Sequence, residues 1–304
     1  MRISANSSVP RGVTSAVLAT MLLSGGALAC GKNTGSDSAG SAKEEPASLT
    51  PAAAVAKAAK NAAGVTSLSY RITGTVPGKG RLRAEASMRT APSALSMEMT
   101  AADRPGSGRT EIRFVDGTMY VGGSAVVSGK LDGKSWFSAA PAVWGQLSVD
   151  NNSYGVLPRQ FEGNPAVQST LLTCSKEPRK IGTETVDGTR TTHYRGTVIG
   201  EGCRAARDVA ADKATRERRI GSYDQFVALG LDKTLTMDLW IDGDGRAKRF
   251  RMRGDSYDGR TGGIGDPLDL TVTILEVNQR VTVRTPPAED TADLAALADA
   301  TLTT

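Results

Sequence analysis

The sequence predicts an α+β fold in which helices cover the apolar face of a large antiparallel β-sheet. Three observations predict it. Several segments alternate apolar and polar residues with a period of two, which is typical of strands with one dry and one solvated face. Asp-Gly dipeptides at 116–117, 132–133, 187–188 and 244–245 separate these segments as hairpin turns do. Other segments of helical composition supply the covering layer.

Residues 1–29 are interpreted as a signal peptide. Arg2 and Arg11 precede an apolar run at 13–23 that is too short to span a bilayer, and an Ala-Leu-Ala-Cys stretch ending at Cys30 follows. A cysteine directly after small residues resembles the bacterial lipoprotein box, whose cysteine sulfur is acylated before cleavage. The same residues also satisfy the rule for an ordinary secretory signal, which would release a chain starting at Cys30. Both interpretations place the mature protein outside the cytoplasm.

The cysteine count favours a disulfide between Cys174 and Cys203. Export places these residues in an oxidising compartment, and the anchor uses Cys30. Closing a loop of about thirty residues would stabilise the fold by roughly 3.5 kcal/mol in the chain-entropy model. Two free buried thiols are the alternative. A zinc site does not suit this spacing, because neither cysteine has a second ligand nearby.

The segment 30–49 is predicted to be an acylated cysteine followed by a disordered tether. Residues 31–48 lack large apolar residues and are rich in Gly, Ser and charge. Thr50 then provides an N-cap, Pro51 suits the first helical position, and an alanine-rich helix is predicted over 52–63. No internal linker follows, so residues 50–304 are predicted to form one domain.

The clearest strand lies at 81–89, where apolar and polar residues alternate without a break. The same period recurs at 70–72, 95–99, 111–114, 235–241 and 270–274. Between the two groups of strands, residues 157–172 and 204–229 have the composition of helices or helical loops, and the predicted disulfide joins these regions. The last stretch, 286–302, is predicted to form a short helix.

Composition and motifs argue against catalysis, cofactor binding and nucleic-acid binding. A formal net charge of +5 is too small to indicate a nucleic-acid surface. The single histidine, His193, excludes a metal site built from several imidazoles. Without a Gly-x-Ser-x-Gly nucleophile elbow in the chain, we expect this histidine to be structural. The segments 129–135 and 242–245 match a phosphate loop and a calcium loop only in part, and both are interpreted as turns. We therefore expect no catalytic residue, no metal ligand and no cofactor.

Two further patterns each have a structural and a functional interpretation. A basic cluster alternates with apolar residues and forms either a solvated strand face or a contact for anionic lipid head groups. It comprises Arg246, Lys248, Arg249, Arg251 and Arg253. Methionines occupy strand positions where β-branched residues are usual. They indicate either ordinary core packing or a surface that accommodates variable apolar ligands.

Several segments together resemble a known family. A lipobox-like cysteine, a polar tether and an alanine-rich first helix are followed in order by VDGTMY, GKSW, TVDGTRTTHY and LWIDGDGR, which begin at residues 115, 133, 185 and 239. This arrangement resembles actinobacterial lipoproteins of the LppX/LprAFG type, relatives of the LolA-like periplasmic carriers. The resemblance extends over nearly all of the mature chain.

The resemblance implies a half-barrel, which is a strongly curved antiparallel sheet whose concave apolar face is closed by helices around a cavity for lipid acyl chains. It implies no catalytic residues, because the binding surface is a lining. The inward-facing residues that we expect in this lining are Leu82, Ala84, Met88, Leu95, Met97, Met99, Ile112, Phe114, Leu235, Met237 and Leu239.

We therefore expect a non-enzymatic lipoprotein anchored at the extracytoplasmic face of the plasma membrane. It would bind lipid or lipoglycan acyl chains in an apolar cavity and carry or present lipids in the cell envelope. The alternative is a sensor or interaction lipoprotein that uses the same half-barrel to bind a membrane-protein partner. Neither hypothesis involves nucleic acid.

Overall fold

The computed structural model describes residues 49–102, 108–124, 126, 131–139, 157–258 and 263–296. The predicted signal peptide, the acylation site Cys30 and all of the tether except Leu49 lie outside the described residues. The boundaries of the signal, the tether and the domain therefore remain predictions.

The described residues form one large open sheet. Its strands are β1 (Ser67–Val76), β2 (Gly80–Thr90), β3 (Ser93–Ala101), β4 (Thr110–Val115), β5 (Thr118–Gly122), β6 (Trp136–Ala139), β7 (Arg179–Val186), β8 (Thr189–Ile199), β9 (Thr234–Asp242), β10 (Ala247–Asp258), β11 (Gly263–Val277) and β12 (Thr291–Asp293). Their order in the sheet is β12-β6-β5-β4-β3-β2-β1-β11-β10-β9-β8-β7. Two meanders, β1 to β6 and β7 to β11, thus meet where β1 pairs with β11.

Every neighbouring pair is antiparallel except β12 with β6, which is parallel. Strands β7 and β12 are the two edges of the sheet. The predicted α+β class with an antiparallel sheet is confirmed, and the open sheet is consistent with a half-barrel.

Tight turns join successive strands where the Asp-Gly dipeptides predicted them. Asp116 and Gly117 have φ values of 52° and 74° between β4 and β5, and the dipeptide at 187–188 has 45° and 76° between β7 and β8. Two consecutive residues with positive φ are typical of the type I′ hairpin turn. Between β9 and β10, Asp242 Oδ1 accepts hydrogen bonds from the backbone amides of Asp244 (3.0 Å) and Arg246 (2.8 Å). This carboxylate therefore stabilises a turn, as the sequence predicts.

The helices lie where the sequence indicates them. They are α1 (Pro51–Ala62), α2 (Arg159–Glu162), α3 (Pro165–Gln168), the 3-10 helix Ser169–Cys174, α4 (Gly200–Asp208), α5 (Lys213–Ala228) and the 3-10 helix Ala288–Asp290. The predicted cap of α1 is confirmed, since Thr50 Oγ1 accepts a hydrogen bond from the Ala53 amide at 3.3 Å.

The prediction of a helix over 286–302 is wrong for its first half. Only a short 3-10 turn forms there, and Thr291–Asp293 is strand β12, parallel to β6. Tertiary contacts override the helical composition of this stretch. Asp290 Oδ1 accepts a hydrogen bond from the Ser135 amide at 2.8 Å, and Lys134 Nζ donates to the Thr291 carbonyl at 3.0 Å. Both bonds hold the segment against the edge of the sheet.

The strand register collects the apolar side chains on one face. One row across four strands runs through Tyr70, Ala86, Met97 and Ile112, all of them buried. Helices pack against this face through buried apolar side chains that include Val55, Leu171, Leu172 and Phe226. The core therefore lies between the sheet and the helical layer, as an alternating strand pattern requires.

The predicted disulfide between Cys174 and Cys203 is present, with their Cα atoms 4.6 Å apart. It joins the end of the 3-10 helix Ser169–Cys174 to α4. Gly202 permits this approach, because a Cβ on it would lie 2.6 Å from the Cys174 carbonyl oxygen.

Candidate functional site

The apolar face of the sheet has a closed half and a half-open half. In the closed half, Leu235, Met237 and Leu239 on β9 have no exposed surface, and the 3-10 helix Ser169–Cys174 packs against this strand. These three residues of the predicted lining lie inside the core. The described cavities are not lined by them.

The half-open half lies on β2, β3 and β4. Four residues of the predicted lining, namely Leu82, Ala84, Met97 and Ile112, are buried there. Four others, namely Met88, Leu95, Met99 and Phe114, are only half-buried. The register places all eight side chains on the same face, since Met88 pairs with Leu95 and Leu95 pairs with Phe114.

A cavity of about 180 Å³ lies over this half-open half. Met88, Leu95 and Phe114 of the predicted lining contribute to it, and the structure adds Tyr70, Ser93, Ala94, Met119, Leu157, Phe161 and Gly163. These additional residues are not among those predicted from the sequence. A signal for two of them was available, because Leu157 and Phe161 are the large apolar residues at the start of the predicted helical segment.

Hydrogen bonds fix the helical wall of the cavity. Gln160 Nε2 donates to the Leu229 carbonyl at 3.0 Å, and Gln168 Nε2 donates to the Gln160 carbonyl at 3.1 Å. Both glutamines are buried, so α2 is held by satisfied polar groups inside the core. This arrangement holds Phe161 over the strands. On the opposite wall, burial raises the pKa of the Tyr70 phenol, which therefore stays neutral.

His193 lies on the polar face of the sheet, in a hydrogen-bonded network. Its Nδ1 is 2.9 Å from Glu184 Oε1, and its Nε2 is 2.7 Å from Asp238 Oδ1. The ring stacks on Trp240 with centroids 4.2 Å apart, and Trp240 Nε1 donates to Glu184 Oε2 at 3.0 Å. Both ring nitrogens therefore have hydrogen-bond partners, as expected of a satisfied histidine.

Asp238 is the centre of this network and is almost fully buried. Arg195 Nε donates to its Oδ1 at 2.6 Å, and a terminal nitrogen of Arg253 donates to its Oδ2 at 2.8 Å. Burial alone would raise the pKa of the Asp238 carboxyl. Hydrogen bonds from Arg195, His193 and Arg253 outweigh that effect and hold the pKa below its ordinary value.

The basic cluster on β10 is largely paired across the strands. Arg251 forms two hydrogen bonds with the Asp269 carboxylate, at 2.7 and 2.6 Å. Arg249 donates to Thr273 Oγ1 at 3.2 Å, and Lys248 donates to the Leu275 carbonyl at 3.2 Å. Much of its charge is therefore directed into the sheet surface, which agrees with the interpretation as a strand face.

Among the described residues, no group of three or more His, Cys, Asp or Glu side chains is arranged to hold a metal ion. Within the same part of the chain, the helices are too short or too polar to cross a bilayer.

Comparison with known proteins gives distant relatives. No family model matches the chain. An uncharacterized 31.2 kDa protein of Streptomyces griseus, from the rplA-rplJ intergenic region, is 23% identical over 189 residues. The match covers 62% of this chain and spans 57% of the length of that relative.

Two solved structures are similar in fold. The Mycobacterium tuberculosis lipoprotein LppX has a TM-score of 0.44 at 16% identity, over 77% of this chain and 98% of that one. LprF from Mycobacterium bovis has a TM-score of 0.45 at 13% identity, over 78% of this chain and 96% of that one. LppX and LprF belong to the lipoprotein type that the sequence resembles.

Proposed function

We propose that the protein is a non-enzymatic extracytoplasmic lipoprotein anchored to the membrane. In this proposal it binds a lipid acyl chain on the half-open half of its apolar face, and it carries or presents that lipid in the cell envelope. The observation that supports this proposal is the cavity between β1 to β5 and the segment at 157–163, with its predominantly apolar lining. Acylated Cys30 anchors the chain, and the tether up to residue 48 reaches roughly 23 Å.

The size of the cavity sets what it can hold. An apolar cavity of about 150 Å³ in another protein holds one benzene molecule. The cavity of about 180 Å³ therefore accommodates a segment of about six carbons and not a complete long acyl chain. Burying six methylenes contributes about 5 kcal/mol at ~0.8 kcal/mol each. The half-buried Met88, Leu95 and Phe114 provide further apolar surface beside it.

The substitution Leu95→Trp tests this proposal. Leu95 lines the cavity and is only half-buried, so an indole ring can occupy the ligand space without displacing the closed core. Met97 is a poorer choice, because it is 2% exposed and a larger side chain there would strain the core. Ser96→Trp is the matched control, since Ser96 is the next residue of β3 and its side chain lies on the opposite face.

The full-length protein and both variants are purified from the membranes of an actinobacterial host. Bound lipid is measured by extraction and native mass spectrometry. We expect a discrete lipid mass with the wild type and with Ser96→Trp, and its loss with Leu95→Trp. Equal lipid in all three samples would refute the assigned cavity. An empty wild type that also fails to take up a fluorescent fatty acid would favour the alternative, a lipoprotein that binds a membrane-protein partner.

A further inference from the structure

A second concavity lies at the β7 edge of the sheet and shares no lining residue with the apolar cavity. It is a groove of about 620 Å³ beside the disulfide, at the outer ends of β7, β8 and β9. This volume lies within the range of about 300–1,000 Å³ that is usual for small-molecule sites. Four charged residues line it, namely Lys176, Glu177, Arg179 and Arg195. Two isoleucines, Ile181 and Ile199, also contribute to its lining.

The disulfide and a close backbone approach build one wall of the groove. Cys174 is tied to α4, and the chain leaves it through Ser175, whose amide donates to the Leu172 carbonyl at 3.1 Å. Gly196 of β8 leaves room for this segment, because a Cβ there would lie 2.5 Å from Ser175 Oγ. The wall that carries Lys176 and Arg179 is therefore held against the sheet.

The network on the polar face holds Arg195. Its Nε donates to the buried carboxylate of Asp238 at 2.6 Å, which orients the guanidinium. Its two terminal nitrogens make no hydrogen bond to the residues that the structure describes, and 47% of its side chain is exposed. A guanidinium fixed at Nε and open at its other nitrogens suits a phosphate or carboxylate.

The other charges of the groove leave an excess of positive charge. Arg179 approaches Glu177 at 3.8 Å, and both side chains are about four-fifths exposed. Lys176 makes no ion pair within the described part of the chain. The lining thus carries three cations and one carboxylate, and the Asp238 carboxylate beneath Arg195 is shared with Arg253, so an excess of positive charge remains. A concave surface with one dominant sign of charge concentrates ligands of the opposite sign.

The apolar part of the groove indicates that the ligand is more than a simple ion. Ile181 lies at a bulge in edge strand β7 and is 49% exposed, and Ile199 lies at the end of β8. We propose that this groove binds the anionic head group, phosphate or carboxylate, of a small amphipathic molecule whose short apolar part lies on these isoleucines. The proposal does not rest on the proposed function, because the two sites share no lining residue.

Calorimetric titration of the full-length protein in a nonionic detergent tests the proposal with three probes. Dihexanoyl phosphatidylglycerol carries both an anion and short apolar chains, dihexanoyl phosphatidylcholine is its zwitterionic counterpart, and inorganic phosphate is the anion alone. We expect the phosphatidylglycerol to bind at least tenfold more tightly than phosphate, and at least tenfold more tightly than the phosphatidylcholine, whose six-carbon chains can still enter the apolar cavity. Raising the ionic strength should weaken binding of the phosphatidylglycerol.

Variants locate the site. The double substitution Lys176→Gln and Arg179→Gln should weaken phosphatidylglycerol binding by about tenfold or more, because it removes two exposed cations without touching the core. Lys180→Gln is the matched control, since Lys180 pairs with Tyr194 and does not line the groove. Leu95→Trp should leave this affinity unchanged.

Four results would overturn the proposal. Equal affinity for the two lipids would show that charge is not recognised, and phosphate binding as tight as that of the lipid would show that the isoleucines contribute nothing. A loss with Lys180→Gln as large as with the double variant would remove the groove as the location. A loss confined to Leu95→Trp would assign the short-chain lipid to the apolar cavity instead.

Discussion

Replacing Asp238 by Asn should destabilise the protein, because the carboxylate accepts hydrogen bonds on both of its oxygens. Arg195 Nε and His193 Nε2 contact Oδ1, and Arg253 contacts Oδ2. An asparagine has one oxygen and one NH₂ group, so at least one of these three side chains would face a donor instead of an acceptor. The substitution also leaves two arginines without their shared negative charge.

The magnitude follows from burial. Breaking a fully buried ion pair costs about 3–5 kcal/mol. Asp238 is buried, but the side chains of Arg195 and Arg253 are 47% and 35% exposed, so water can solvate them after the change. We therefore expect a loss of about 2 kcal/mol in the free energy of unfolding. Asp269→Asn is the control, since its bonds to Arg251 lie at a surface where both side chains are about two-fifths exposed. It should cost about 1 kcal/mol or less.

The effect should depend on pH in a defined direction. The folded state lowers the pKa of Asp238, so its contribution is present above the pKa of the unfolded chain, near 3.9. It is lost as the pH falls through the lower folded value, because the unfolded state then binds the proton first. Urea unfolding followed by circular dichroism between about pH 3 and pH 7 measures this. An equal deficit of the variant at both ends of that range, or a deficit below about 0.5 kcal/mol at neutral pH, would refute the role assigned to the network.

Three further sets of substitutions test the apolar face, the disulfide and the cap of α1. Leu239→Ala should lower the free energy of urea unfolding by about 2–5 kcal/mol, because Leu239 is fully buried. Leu95→Ala should cost clearly less, because Leu95 is only half-buried. Equal losses would contradict the division of the apolar face into two halves. Replacing both Cys174 and Cys203 by Ser should cost about 2–5 kcal/mol by the same assay and weaken anion binding in the groove. Unchanged stability would contradict the stabilising role assigned to the disulfide. Thr50→Ala should cost about 1 kcal/mol, with Thr50→Ser as the control that retains the cap.

Much of the sheet could be predicted because the geometry of a strand is local. Side chains alternate between faces, so the pattern at 81–89 assigns Leu82, Ala84 and Met88 to one face wherever the strand lies. The Asp-Gly dipeptides similarly predict hairpins, because few residue pairs tolerate two consecutive positive φ values. Pairing along a chain of hairpins then brings the apolar faces of successive strands together.

The division of the apolar face could not be predicted from such local patterns. Leu95 and Leu239 both lie in alternating segments that look alike in the sequence, yet one is half-buried and the other is fully buried. The difference arises from where the helical segments dock. The polar network has the same origin, since its members Glu184, His193 and Asp238 come from three strands and meet only through the register of β7, β8 and β9.

The two halves of the apolar face contribute oppositely to stability. In the half-open half, Met88, Leu95 and Phe114 are only half-buried, so they lack part of the roughly 1.5–3 kcal/mol that complete burial of each would contribute, which is a cost to stability. The closed half offsets this cost, because Leu235, Met237 and Leu239 each contribute about 1.5–3 kcal/mol through complete burial. A larger side chain at Leu95 would fill the space and remove the cost. The chain instead keeps the cavity open, so an acyl segment that enters it restores the missing contacts and couples ligand binding to the stability of the fold.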